Sequence, residues 1–195
     1  MQRTAEKTRS HVLRVAGELF YRKGIRATGI DRVAAEADVA PPTLYRIFAS
    51  KDGLVSAYVQ DTHREFQDLV TKVVEAAGPD PRDQILAIFD TVSGQVASEG
   101  YRGCPMQMAL AEFPDADLPA HRNAVAAKSW LRETLGELTG RLGADDPAEM
   151  ADHLTVVFEG LHASGQSLGP AGPAKRVRGL VEMILSTAPP RPDGP

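Results

Sequence analysis

Ten Lys and Arg residues, against five Asp and Glu, fall within residues 1–51, a local balance of +5. The remaining residues carry twelve against twenty-one, a balance of −9, and the two parts give the overall −4. Clustered cations neutralise phosphates, so this arrangement suits one end of the chain alone to meet nucleic acid. The same end has a spacing with a definite use. Counting from Ile30, the fifth residue is the small Ala34, the ninth is Asp38, Val39 follows, and Leu44 and Ile47 come next. A small residue lets two short helices touch, and apolar anchors on both hold the second one out toward a major groove. Helix hairpins with small residues also serve as plain packing units, so at this point both uses stay open.

Enzyme chemistry has less support. His11, His63, His121, His153 and His162 show no metal-ligand spacing. His153 and His162, nine apart, fall on opposite faces of a helix. No Gly-rich phosphate loop and no His-Glu-x-x-His occurs. No catalytic residue, metal or cofactor is therefore expected. The single cysteine, Cys104, excludes an intrachain disulfide and fits a reducing cytoplasm. Within Arg102-Gly103-Cys104-Pro105 it stands beside a cation and near a predicted helix start, two features that favour a reactive thiolate. Cys104 is thus a candidate redox or electrophile sensor, against the plainer reading of a small apolar filler.

These side chains need helices to position them, and helical periodicity runs almost throughout. Val12, Val15, Ala16, Leu19 and Phe20 mark one helix face that Gly24 can end. Ile30, Val33, Ala34 and Ala37 mark a short second helix, and Pro41-Pro42 opens a third. A long fourth runs from Lys51 to about Ala77, closed by Gly78-Pro79-Asp80-Pro81. Ile85 to Val96, Pro105 to Phe113, and Pro119 to Leu142 with its seam Leu131, Leu135, Leu138 and Leu142 follow. Met150 to Leu168 and Lys175 to Ser186 complete about nine helices. The expected fold is all-α, with a head over 1–51, a body over 52–187 and a proline-rich disordered tail over 188–195. No signal peptide is expected, since Arg14 and Glu18 interrupt the apolar stretch near the N-terminus. No run of about 18 apolar residues is present.

The stretch from Lys7 to Leu54 resembles the tetracycline-repressor family of transcriptional regulators. The likeness is carried by Val33-Ala34, Ala37-Asp38-Val39, Thr43-Leu44-Tyr45-Arg46-Ile47-Phe48 and Ser50-Lys51-Asp52-Gly53-Leu54. It implies a cytoplasmic, dimeric, all-helical DNA-binding regulator, usually a repressor that a small ligand releases. It also implies residue roles. Thr43 and Tyr45 match positions whose hydroxyls bond phosphate, and Lys51 matches a phosphate-binding lysine at a helix N-terminus. Pro42 and Arg46 match positions that reach base edges, where an Arg bonds guanine O6 and N7. Thr28 would stand beside a phosphate at the start of the second helix. Three departures stand out. Asp38 replaces a usual Gly but tolerates left-handed geometry. Ala40 replaces a Ser or Thr cap, and Pro42 replaces a frequent Gly.

For the body, the resemblance implies a ligand cavity and a homodimer through the last two long helices. Gly160, Ala163, Ser164 and Gly165 would let a partner helix approach, or else pack within one subunit. Candidate ligand-binding residues are Phe89, Met106, Met108, Phe113, Trp130, Phe158 and His162, with Gln107 and Gln166 to orient a polar group. The fourth helix would couple cavity to head. Two other readings remain: a helical small-molecule-binding or interaction protein without specific DNA binding, and a helical enzyme.

Overall fold

The structure, a computed structural model, describes residues 5–188. Residues 189–195 of the expected tail lie outside the described residues. The helices are α1 (Ala5–Lys23), α2 (Ile30–Glu36), α3 (Pro41–Phe48), α4 (Lys51–Ala76) and α5 (Pro81–Val96). They continue with α6 (Pro105–Glu112), α7 (Pro119–Leu142), α8 (Pro147–Leu168) and α9 (Val177–Leu185). No strand occurs among the described residues.

Proline sets most of the starts. α3, α5, α6, α7 and α8 each begin on one, the position where its missing N–H would have no helical partner anyway. Asp80 and Asp146 add side-chain caps, accepting from Arg82 N at 2.8 Å and Glu149 N at 2.9 Å. The Asp146 cap starts α8 a turn earlier than the apolar pattern from Met150 indicates. The last helix also differs from expectation. Pro173–Arg176 form a 3-10 turn and α9 proper is Val177–Leu185. With no N–H on Pro173, this turn is closed by Lys175 N donating to Gly172 O, a three-residue step at 3.3 Å.

The chain divides into two compact units. One comprises residues 5–65 with 105–127. Its core holds Val12, Ala16 and Phe20 of α1, Val33 and Ala34 of α2, Leu44 and Phe48 of α3, and Leu54 and Tyr58 of α4. Phe20 and Tyr58 meet edge to face at 5.3 Å between centroids. The other comprises residues 66–104 with 128–188. There Ile85, Phe89 and Val92 of α5 pack with Leu131, Leu135 and Leu138 of α7, and with Leu154, Phe158 and Leu161 of α8. Val181 and Leu185 of α9 join this core. At Gly165 the approach of α5 is so close that an added Cβ would lie 2.2 Å from Val96 Cγ1. Of the four small residues on α8, Gly165 is thus used within the subunit, while Gly160 and Ala163 stay exposed.

Candidate nucleic-acid interface

Ala34 is 1% exposed, as the tight contact between α2 and α3 requires. The turn between them is held by Ala37 N on Val33 O at 2.9 Å and Val39 N on Ala34 O at 3.0 Å. Asp38 takes φ +51° there, so the Asp does adopt the left-handed backbone that a Gly would supply more freely. His11 of α1 adds a hydrogen bond from Nε2 to Ala37 O at 3.0 Å. Ala40 gives α3 no side-chain cap, and Pro41 starts it with a preset φ.

α3 has two distinct faces. Leu44 and Phe48 are buried, whereas Pro41, Pro42, Tyr45 and Arg46 are exposed. Tyr45 is 49% exposed, a large ring and hydroxyl held out to solvent rather than packed away. Thr43 is half-buried. The step from α3 to α4 is tight. Ala49 has φ +62°, Ser50 Oγ caps α4 by accepting from Gly53 N at 3.0 Å, and a Cβ on Gly53 would lie 2.0 Å from Phe48 O. Only glycine fits at 53, which explains the residue in the Ser50-Lys51-Asp52-Gly53 motif.

Lys51, in the first turn of α4, donates from Nζ to Arg26 O at 3.0 Å. Two ammonium hydrogens stay available beside the helix N-terminus. Thr28 is placed differently from a free phosphate ligand. It is 1% exposed and its hydroxyl donates to Gly24 O at 2.8 Å, so it shapes the α1–α2 turn. Two residues of this region escaped the sequence reading. Arg26 lies in that turn, and Glu112, the last residue of α6, accepts from Ile25 N and Arg26 N. No local motif signals the pair, because 86 residues separate its members.

The candidate ligand residues fall into two groups. Met106, Gln107, Met108 and Phe113 belong to the first unit. Phe113 is buried with the Arg26 guanidinium 5.1 Å from its ring centroid. Phe89, Trp130, Phe158, His162 and Gln166 belong to the second. There Phe158 touches Phe89 at 5.9 Å and His162 at 4.9 Å between centroids, and Phe66, unremarked in sequence, bridges Phe158 to Trp130 at 6.0 Å each. Tyr101 OH and His162 Nδ1 share a hydrogen bond of 2.6 Å. Burial, helped by the nearby Lys128 charge, pushes the His162 imidazole down to about 4. Gln166 lies against Gly103, close enough that a Cβ there would be 2.8 Å from its Oε1.

Cys104 is buried, and the Lys128 ammonium reaches its sulfur from α7. The Lys128 ammonium donates to Cys104 Sγ at 3.3 Å and to both Glu159 oxygens at 2.7 and 2.9 Å. Among the described residues no group of three His, Cys, Asp or Glu side chains comes together as a metal site. No helix among them is long and apolar enough to cross a membrane.

Comparison with known proteins agrees with this geometry. The model of the family described as bacterial regulatory proteins, tetR family, matches residues 12–58. The structure of SCO4454, a TetR-family transcriptional regulator from Streptomyces coelicolor, is 34% identical in sequence. The match spans 92% of this chain and 94% of that one, with a TM-score of 0.86. The HTH-type transcriptional regulator YjdC of Escherichia coli (strain K12) is 26% identical over 152 residues, 78% of this chain and 80% of that protein. The HTH-type transcriptional repressor NemR of the same organism is 24% identical over 192 residues, 94% and 96% of the two chains.

Proposed function

Because the chain belongs to the tetracycline-repressor family of transcriptional regulators, we propose that it is a homodimeric repressor released from its operator by a small molecule. The observation that carries this reading is the outward face of α3. Pro42, Tyr45 and Arg46 stand exposed on a helix whose other side is fixed by Leu44 and Phe48. α3 enters the major groove, Arg46 and Pro42 meet base edges, and Thr43, Tyr45 and Lys51 hold phosphates on either side. Residues 1–51 act as the reading head and the rest as sensor and dimer body, working in the cytoplasm where the DNA is.

Dimerisation is supported by apolar surface on the last two long helices. Val156 is 72% exposed and Met183 66%, and Gly160 and Ala163 continue the Val156 stripe at helical spacing on α8. Two subunits address half-sites roughly 34–36 Å apart, or a multiple of that distance. The effector binds in the body, with Phe89, Trp130, Phe158 and His162 as apolar and polar contacts. It acts only through different affinities for the DNA-competent and incompetent states.

Genome-wide capture of DNA on the purified protein, followed by gel shift on the recovered duplexes, tests the reading. A recurrent inverted-repeat site bound by the wild-type chain is the expected result. Capture with no sequence preference counts against specific regulation and favours a helical binding protein.

A further inference from the structure

Glu112 is in an unusual place. A carboxylate at the last residue of a helix faces the negative end of the helix dipole, and here it is half-buried beside the turn between α1 and α2. Its contacts supply the reason. Oε1 accepts from Ile25 N at 2.9 Å and Oε2 accepts from Arg26 N at 2.6 Å. Both oxygens therefore grip two successive backbone amides just past the end of α1, as charge-assisted bonds. Arg26 returns the contact. Its Nε donates to Glu112 O at 2.6 Å, its guanidinium covers the Phe113 ring, and so it caps the C-terminus of α6 with a positive charge.

The same short turn carries the next link. Arg26 O accepts from Lys51 Nζ, and Thr28, whose N donates to Ile25 O at 3.3 Å, fastens its hydroxyl to Gly24 O. The amides that Glu112 grips and the carbonyl that aims Lys51 thus belong to one two-residue stretch. From these contacts we propose that Glu112 is a positioning residue for DNA binding, acting through the Arg26 backbone on the Lys51 ammonium. The inference rests on the regulator reading above and deepens it by making the phosphate edge of the head depend on α6.

Charge and position push in opposite directions here. Removing a negative charge near DNA should by itself tighten binding, whereas releasing the turn should loosen it. Glu112→Ala and Glu112→Gln lose the same charge, but Gln keeps an acceptor for one amide. The expected result, on an operator duplex recovered by capture, is Gln within about threefold of wild type and Ala weaker by on the order of tenfold. The Ala variant should also show a salt slope smaller by about 0.9, the signature of one lost phosphate contact. In a double-mutant cycle, Lys51→Ala should cost far less in the Glu112→Ala background than alone. Melting curves and amide exchange at Ile25 and Arg26 accompany each variant. Exchange should quicken in Glu112→Ala while the helical fold persists. Wild-type protein that selects no duplex overturns the regulator reading and this proposal with it. Wild-type binding with Ala and Gln equal at every salt concentration, or with additive Lys51 and Glu112 effects, overturns the proposal alone.

Discussion

Lys51 and Arg46 both carry a full positive charge at the proposed DNA face, yet they should fail in different ways when removed. The Lys51 ammonium is a point charge already steered by Arg26 O at 3.0 Å, suited to a phosphate and blind to sequence. Lys51→Ala should weaken binding to specific and scrambled duplexes alike and lower the salt slope by about 0.9. Arg46 extends from the exposed side of α3, where its planar fork would suit a guanine edge in the proposed complex. Arg46→Ala should relax preference at one base pair by about 1–3 kcal/mol while scrambled DNA binds nearly as before. Uniform loss would make it a phosphate contact. His162 gives a different residue-scale prediction. Its imidazole, ordinarily near 6.5, is pushed down to about 4 by burial and by Lys128. Between those values the unfolded chain holds more protons, so stability is full above about pH 6.5 and falls as pH drops toward 4. The shift corresponds to about 3 kcal/mol. Denaturant titrations at pH 7 and 4 should show a smaller acid loss in His162→Gln by that order; equal losses would show that the imidazole does not titrate on unfolding.

At the scale of elements, the approach of α5 to α8 is set by one missing side chain. Gly165→Ala would press a methyl group against the branched, stiff Val96, and overpacking of this kind costs about 1–3 kcal/mol. Gly94→Ala, on an open stretch of α5 with nothing near an added Cβ, should instead stabilise by about 0.5–1 kcal/mol. Thermal melts of the two variants moving the same way would contradict this picture of α5. The elements themselves were readable where local physics decides them. Apolar spacing marked the faces of α1, α2 and α7, and proline marked the starts of α3, α6 and α7, whereas the starts of α5 at Pro81 and α8 at Pro147 lie a turn before their apolar patterns. The left-handed backbone at Asp38 was anticipated from the resemblance, which puts a Gly at that position. Contacts made across long stretches of chain were not readable. Nothing near Glu112 announces Ile25 and Arg26, and nothing near Cys104 in sequence announces Lys128, which donates to its sulfur from 24 residues away. Thr28 shows the same limit: its position beside α2 was legible, but the bond from its hydroxyl to Gly24 O depends on the folded turn.

For the molecule as a whole, the proposed dimer would make the head's affinity depend on there being two heads. A single short recognition helix makes too few contacts for tight specific binding, and linking two converts the second docking into an intramolecular event. The apolar surface available for that link lies on α8 and α9, where Val156, Leu168, Leu180 and Met183 are all exposed. Met183→Glu puts a charge there without disturbing the buried side of α9, formed by Val177, Val181 and Leu185. If α9 pairs across a two-fold axis, the change meets its own copy, so like charges oppose each other and both lose solvation. Sedimentation should then show monomers, with circular dichroism unchanged and operator affinity lower by at least tenfold, since avidity is lost while each head stays intact. Val125→Glu, on the exposed face of α7 at 44% exposure, supplies the control for added surface charge and should leave the dimer in place. A Met183→Glu protein that sediments as a dimer and holds its operator would move the interface away from α9. The same protein dimeric yet unable to bind would instead place α9 in the control of head spacing.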